Sequence, residues 1–115
     1  HSVHAVGYII EDRKGKRLLY TGDTGPTDEI WEAAKDIQCA IIEVSFPNKL
    51  KAMAIKTGHL TAGLLMKEIN KMKDLPEKIL ITHPKPLYLG QIKSEIRKLP
   101  LKNIKILKDG ETYDI

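Results

Sequence analysis

This 115-residue chain has one cysteine, one phenylalanine, one tryptophan and no long apolar run. Cys39 alone cannot close an intrachain disulfide, so a reducing compartment is the default. No stretch reaches the roughly 18 to 20 apolar residues that span a bilayer. The opening HSVHAVGY also lacks the charged-then-apolar layout of a secretory leader. A cytoplasmic chain without a membrane partner is expected. Because it opens on His rather than Met, an upstream region is expected too. Aromatics make up 5% of residues, and only three of the nineteen basic residues are Arg. With so few stacking platforms and bidentate forks, a dedicated nucleic-acid-binding module is not expected. Glycines 22, 25 and 58 fit neither a P-loop nor a dinucleotide fingerprint, so no nucleotide cofactor is implied. Ser45 lacks the G-x-S-x-G turn of a nucleophilic serine.

The composition that remains is that of one globular unit, 42% hydrophobic and 30% charged, with a +4 charge spread along the chain. Residues 1–115 read as a single unit without repeat or linker. VHAVGYII and RLLYT, joined by the polar EDRKGK, read as a β-hairpin. TDEIWEAAKD predicts a helix capped by Thr27 and running to about Asp36, with acids at its positive end. The run CAIIEV (39–44) has the look of a strand buried on both faces, as does ILIT (79–82). Lys49 to Gly58 fits either a short helix or a packed loop. Helical spacing places a helix over Thr61–Met72 and another over Leu89–Leu99. Short strands at Ile104–Leu107 and Thr112–Ile115 close the chain. Strands alternating with helices after a hairpin predict an α/β class with a mixed sheet.

In such sheets ligands gather beyond the carboxyl ends of the strands. Three of those ends carry reactive groups. Asp23 follows RLLYT, Glu43 ends CAII and His83 follows ILIT. If the hairpin turns near Lys14 and Gly15, antiparallel pairing brings His1 and His4 towards Asp23. Imidazole nitrogens and carboxylate oxygens suit zinc, manganese or iron. The plainer alternatives are an Asx turn or cap at Asp23, a buried ion pair at Glu43 and ordinary polar histidines. His59, in GHLT ahead of a helix, gives no local sign of where it points.

HSVHAVGY with LLYTGDTGP, then AIIEVSFPN, GHLT and ITHPKP, resembles the carboxyl-terminal half of a metallo-β-lactamase-fold hydrolase. The likeness is to class II cyclic-nucleotide phosphodiesterases and, more distantly, to ribonuclease Z. It implies half of an αββα sandwich, with a mixed sheet, an opening β-hairpin and flanking helices. It implies two divalent metal ions, zinc first with manganese or iron as alternatives. Asp23 would bridge them, with His1 and His83 as further ligands and His4 the runner-up to His1. His59 would touch the phosphate or protonate the leaving oxygen, and Glu43 would orient it.

The resemblance thus implies a metal-dependent phosphodiesterase acting on 3′,5′-cyclic nucleotides. The alternatives are a ribonuclease Z-like nuclease of tRNA 3′ ends, which would need a clamping insertion not visible here, and a non-catalytic partner-binding α/β domain. The family's His-x-His-x-Asp-His motif does not occur in these 115 residues. The expectation is therefore a chain with half of a dinuclear site, inactive alone, whose partner is the amino-terminal half of the fold. One sheet face or edge should be uncovered, favouring association, including homo-oligomers.

Overall fold

The structure, a computed structural model, describes residues 7–22, 24–72, 74–108, 110 and 112. Five strands, β1 (Tyr8–Glu11), β2 (Arg17–Tyr20), β3 (Cys39–Glu43), β4 (Lys78–Thr82) and β5 (Ile104–Ile106), form one sheet in sequence order. β1 and β2 are the expected hairpin, antiparallel with Tyr8 opposite Tyr20 and Glu11 opposite Arg17. Its turn is held by the Asp12 carboxylate, which accepts the N–H groups of Lys14 and Lys16 at 2.9 Å each. Gly15 supplies the positive φ of 84° that the tight turn requires. From β2 onward every neighbour is parallel, so the sheet is mixed.

Four helices, α1 (Glu29–Ala33), α2 (Lys51–Thr57), α3 (Ala62–Ile69) and α4 (Leu89–Arg97), connect the strands. A 3₁₀ turn at Asn48–Leu50 leads into α2 and another at Pro86–Tyr88 into α4. The ambiguous Lys49–Gly58 stretch is therefore helical, and Gly58 ends it in the left-handed conformation at φ 78°. α3 starts from Thr61, whose hydroxyl accepts the Leu64 N–H at 3.2 Å, while Asn48 accepts that of Gly63 at 2.8 Å.

The first helix departs from expectation. It spans only Glu29–Ala33, and Thr27 does not cap it. The Thr27 N–H instead donates to the buried Glu68 carboxylate of α3 at 2.6 Å, a tertiary bond overriding the local capping signal. α3 and α4 also stop before the apolar spacing does, at Ile69 and Arg97. Thr112 lies in no strand, and residues 113–115 fall outside the described residues, so the last expected strand does too.

Strands β2 to β5 follow one another across the sheet without a reversal. Parallel crossovers are right-handed, so an unreversed order sends every connecting helix to the same face. The core sits there. Leu19, Ala40 and Ile79 share a register row, with Ile42 and Ile81 in the next. They pack in one cluster with Ile30 and Trp31 of α1, Leu65 and Ile69 of α3, and Ile92 and Ile96 of α4. The opposite face carries Tyr8, Ile10, Leu18, Tyr20, Ile41 and Leu80 by strand alternation. Tyr8 is 60% and Ile10 57% exposed, and no helix among the described residues packs over that side of the hairpin. Half of a layered sandwich is what this arrangement amounts to. Among the described residues, no helix is long and apolar enough to cross a membrane.

Candidate functional site

The parallel register sets the carboxyl ends of β3 and β4 side by side, with Glu43 beside Thr82. Backbone bonds continue beyond them: Val44 donates to the Thr82 carbonyl at 3.1 Å and Lys85 to that of Ser45 at 3.2 Å. The two loops leaving these strands are therefore fixed to each other, with His83 between the anchoring points.

Glu43 is fully buried. Its Oε1 accepts the Leu60 N–H at 2.8 Å and, more weakly, the Thr24 N–H at 3.4 Å, and its Oε2 accepts the Ser45 hydroxyl at 2.6 Å. A carboxylate in an apolar interior needs such donors, since an unsatisfied one is costly to bury. His59 enters from the residue after the helix-ending Gly58, and its own N–H donates to the Ala54 carbonyl at 2.8 Å. The site is tightly built at this corner: a Cβ on Gly25 would lie 3.3 Å from the Gly58 Cα. His59 Nδ1 lies 3.5 Å from Glu43 Oε1 and 3.3 Å from Ser45 Oγ, with the side chain 18% exposed.

These contacts select a tautomer. Ser45 has one hydroxyl proton, committed to Glu43 at 2.6 Å, so towards His59 its oxygen accepts. Nδ1 then carries the hydrogen, and Nε2 is on the side of the ring away from Ser45 and Glu43. A buried carboxylate, a bridging hydroxyl and a partly exposed imidazole form a unit able to hold or move a proton at Nε2. Ser45 thus bridges the carboxylate and the imidazole. Sequence reasoning missed this bridge, although its signal was present. Residues i and i+2 leaving a strand fall on one side, which places Ser45 with Glu43. Phe46 was missed as well. Its ring meets His59 edge-on at 5.7 Å.

His83 directly follows β4 and is exposed, with a φ of 61°. His is among the residues that tolerate this left-handed region better than most, yet the conformation remains uncommon and is often met at functional positions. Thr82 Oγ1 lies 3.3 Å from His83 Nδ1. Nδ1 is the nitrogen engaged by that hydroxyl in either tautomer, so Nε2 is the His83 nitrogen that could serve as a ligand. His1, His4 and Asp23, the other expected ligands, lie outside the described residues. Among the described residues, no group of three or more His, Cys, Asp or Glu could hold a metal ion by itself. The structure therefore brings Glu43 and His59 together and sets His83 at the neighbouring strand end, without assembling a complete metal centre among the described residues.

A second buried carboxylate lies away from the strand ends. Glu68 accepts the Thr27 N–H, the Trp31 indole N–H at 3.1 Å and the Lys71 ammonium at 2.8 Å. Lys71 also pairs with Asp28 at 2.9 Å and donates to the Thr27 carbonyl. Burial alone would lower the Lys71 pKa, but the hydrogen bonds and charges of Glu68 and Asp28 outweigh it and raise it. This network fastens α1 to α3.

Comparison with known proteins places the fold. The profile of the family described as "Beta-lactamase superfamily domain" matches residues 1–83. Ribonuclease Z of Archaeoglobus fulgidus is 36% identical over 73 residues, covering 64% of this chain and 23% of that protein. Ribonuclease Z of Gemmatimonas aurantiaca is 32% identical over 108 residues, covering 91% of this chain and 33% of that protein. The crystal structure of human tRNase Z, short form, superposes with a TM-score of 0.66 at 15% identity, over 90% of this chain and 35% of that one. The chain spans a third or less of the length of these curated relatives. With an α/β sheet bearing its helices on one face and a profile match over most of its length, the chain belongs to the β-lactamase superfamily and has the metallo-β-lactamase fold.

Proposed function

We propose that this chain supplies the carboxyl-terminal side of a metal-dependent ribonuclease Z-like active site, which hydrolyses a phosphodiester bond at the 3′ end of a precursor tRNA. The observation that carries this reading is the Glu43–Ser45–His59 unit at the strand ends, with Nε2 of His59 turned away from its buried partners. The relatives' name directs it to RNA rather than to the cyclic nucleotides that EVSFPN and GHLT suggested.

In the proposed reaction water adds to phosphorus and the bond to the leaving oxygen breaks. His59, doubly protonated before the step, gives the leaving oxygen the proton on Nε2 and ends neutral with its hydrogen on Nδ1, and Glu43, directly and through Ser45, holds the ring and supports the charged form that precedes the transfer. His83, Asp23 and His1, with His4 as the alternative to His1, would hold the metal ions on this side. Divalent cations bound there would neutralise phosphoryl charge and activate the attacking water.

The bare face of the hairpin belongs to the same proposal. Tyr8 and Ile10 would be covered by the amino-terminal half of the fold, completing the sandwich and bringing the remaining ligands. A second copy of this chain on that face is the competing occupant.

The test is cleavage of precursor tRNA and of cyclic AMP by the chain joined to that half, with zinc or manganese added. Precursor cleavage that is lost in Glu43→Gln and His59→Ala supports the reading. Cyclic AMP turnover without RNA cleavage would return the site to the phosphodiesterase alternative. Activity towards both substrates that survives in Glu43→Gln would sink the assigned roles.

A further inference from the structure

Phe46 is the chain's single phenylalanine and stands where three groups meet. Its ring touches His59 edge-on, lies 6.4 Å from Tyr88 at a tilt of 47°, and has the Lys85 ammonium above it at 5.8 Å from its centre. Lys85 is not a freely swinging surface lysine at its base, because its backbone N–H is bonded to the Ser45 carbonyl beside the site. Among the described residues no carboxylate pairs with it. Next to it Leu87 is 83% exposed, the most exposed large apolar side chain among the described residues. A cation held over an aromatic ring, a second ring and a bare apolar side chain therefore lie together at the edge of the His59 unit. Stacking surface beside a positive charge is what single-stranded nucleic acid requires, one for the base and one for the backbone.

We propose that Lys85, Phe46 and Tyr88 form a subsite for the nucleotide flanking the cleaved linkage. Lys85 takes the flanking phosphate, and the Tyr88 and Phe46 rings support its base. This rests on the RNA reading above and sharpens it, because a cyclic nucleotide has no flanking phosphate. It also accommodates the poverty of aromatics and Arg: a local subsite uses two of the chain's six aromatic residues, whereas a broad interface would need many more. Phe46 acts as a positioning residue, placing Lys85 and His59 relative to one another.

The experiment uses the complete domain, with initial rates on precursor tRNA across a salt series. Lys85→Ala should raise KM about tenfold, leave kcat within about twofold, and lower the slope of log KM against log salt by about one. Tyr88→Leu should raise KM about tenfold without changing that slope, and Tyr88→Phe should restore it. Phe46→Leu should lower kcat as well as raise KM, and shift the pH profile of kcat, which simple loss of a contact would not do. Unchanged KM and slope in both Lys85→Ala and Tyr88→Leu, with wild-type cleavage intact, would overturn the subsite and leave the nuclease reading standing. If the wild type does not cleave precursor tRNA, anisotropy with a short single-stranded RNA decides. Weaker binding by both variants keeps the subsite without the nuclease reading, and equal binding removes it.

Discussion

The two buried carboxylates among the described residues, Glu43 and Glu68, are nearly equal in burial and differ in what surrounds them. Glu68 accepts from a backbone N–H, an indole and the ammonium of Lys71, and so holds α1 against α3. Glu43 accepts from backbone N–H groups and a hydroxyl at the strand ends, with an imidazole at its edge. Lysine keeps its charge throughout the neutral range, whereas imidazoles as a class change theirs between pH 5 and 8. A carboxylate held by lysine works as a staple. One held by neutral donors and matched to an imidazole can take part in proton transfer. Burial alone would not have separated the two.

Substitution can break this contrast. In the complete domain, Glu43→Gln and His59→Ala are expected to lower the turnover of the cleaved phosphodiester by about 10²- to 10⁴-fold, the usual worth of a positioned proton donor. Circular dichroism should show both variants folded. A fall of less than tenfold in either would make Glu43 a second staple. Glu68→Ala should do the reverse. It leaves the Trp31 and Thr27 N–H groups without their acceptor, while Lys71 keeps Asp28 and the Thr27 carbonyl, at a cost of about 2 kcal/mol in urea unfolding. Activity per folded molecule should stay within about twofold of wild type. Ser45→Ala falls between them. Losing the hydroxyl bridge is expected to cost about 1 kcal/mol. The His59 tautomer also loses its local constraint, so turnover should drop while Ser45→Thr retains part of it.

Much of this was legible in the sequence, for identifiable reasons. Almost unbroken apolar runs at CAIIEV and ILIT read as strands buried on both faces, and β3 and β4 do place Glu43 and His83 at their ends. The helix after GHLT carried its own start signal in Thr61. What was hidden depended on distant partners. Thr27 has the composition of a cap, but its N–H is taken by Glu68, forty-one residues away. Phe46 carries no signal of its own in the sequence, and only the fold brings Tyr88, Lys85 and His59 to its ring. The bare face was legible in part: Tyr8 and Ile10 alternate as strand residues should, yet alternation cannot say which side the helices cover. The unreversed strand order decides that. Ile10→Lys should accordingly leave the urea midpoint of the isolated chain nearly unchanged, and weaken its capture of the amino-terminal half when the two are mixed.

The smallest expected effect lies at alkaline pH, where the staple rather than the site should respond. Burial pushes the Cys39 thiol up, partly opposed by the nearby Lys78 charge, and the Lys71 pKa is raised by its carboxylate partners. For both groups the folded state holds the proton more tightly than the unfolded chain does. Their contribution is therefore complete below the unfolded pKa and is lost as the pH climbs through the folded one. For Cys39 the loss begins above about pH 8.5 and for Lys71 above about pH 10.4, the ordinary values of the two groups. Urea midpoints followed from pH 7 to 11 should fall in two stages. Cys39→Ala should flatten the first stage and Lys71→Met the second. A first stage that persists unchanged in Cys39→Ala would mean that the thiol is not its source. An alkaline stage left intact in Lys71→Met would mean that Lys71 is not its source, and the staple would lose the response that separates it from the site.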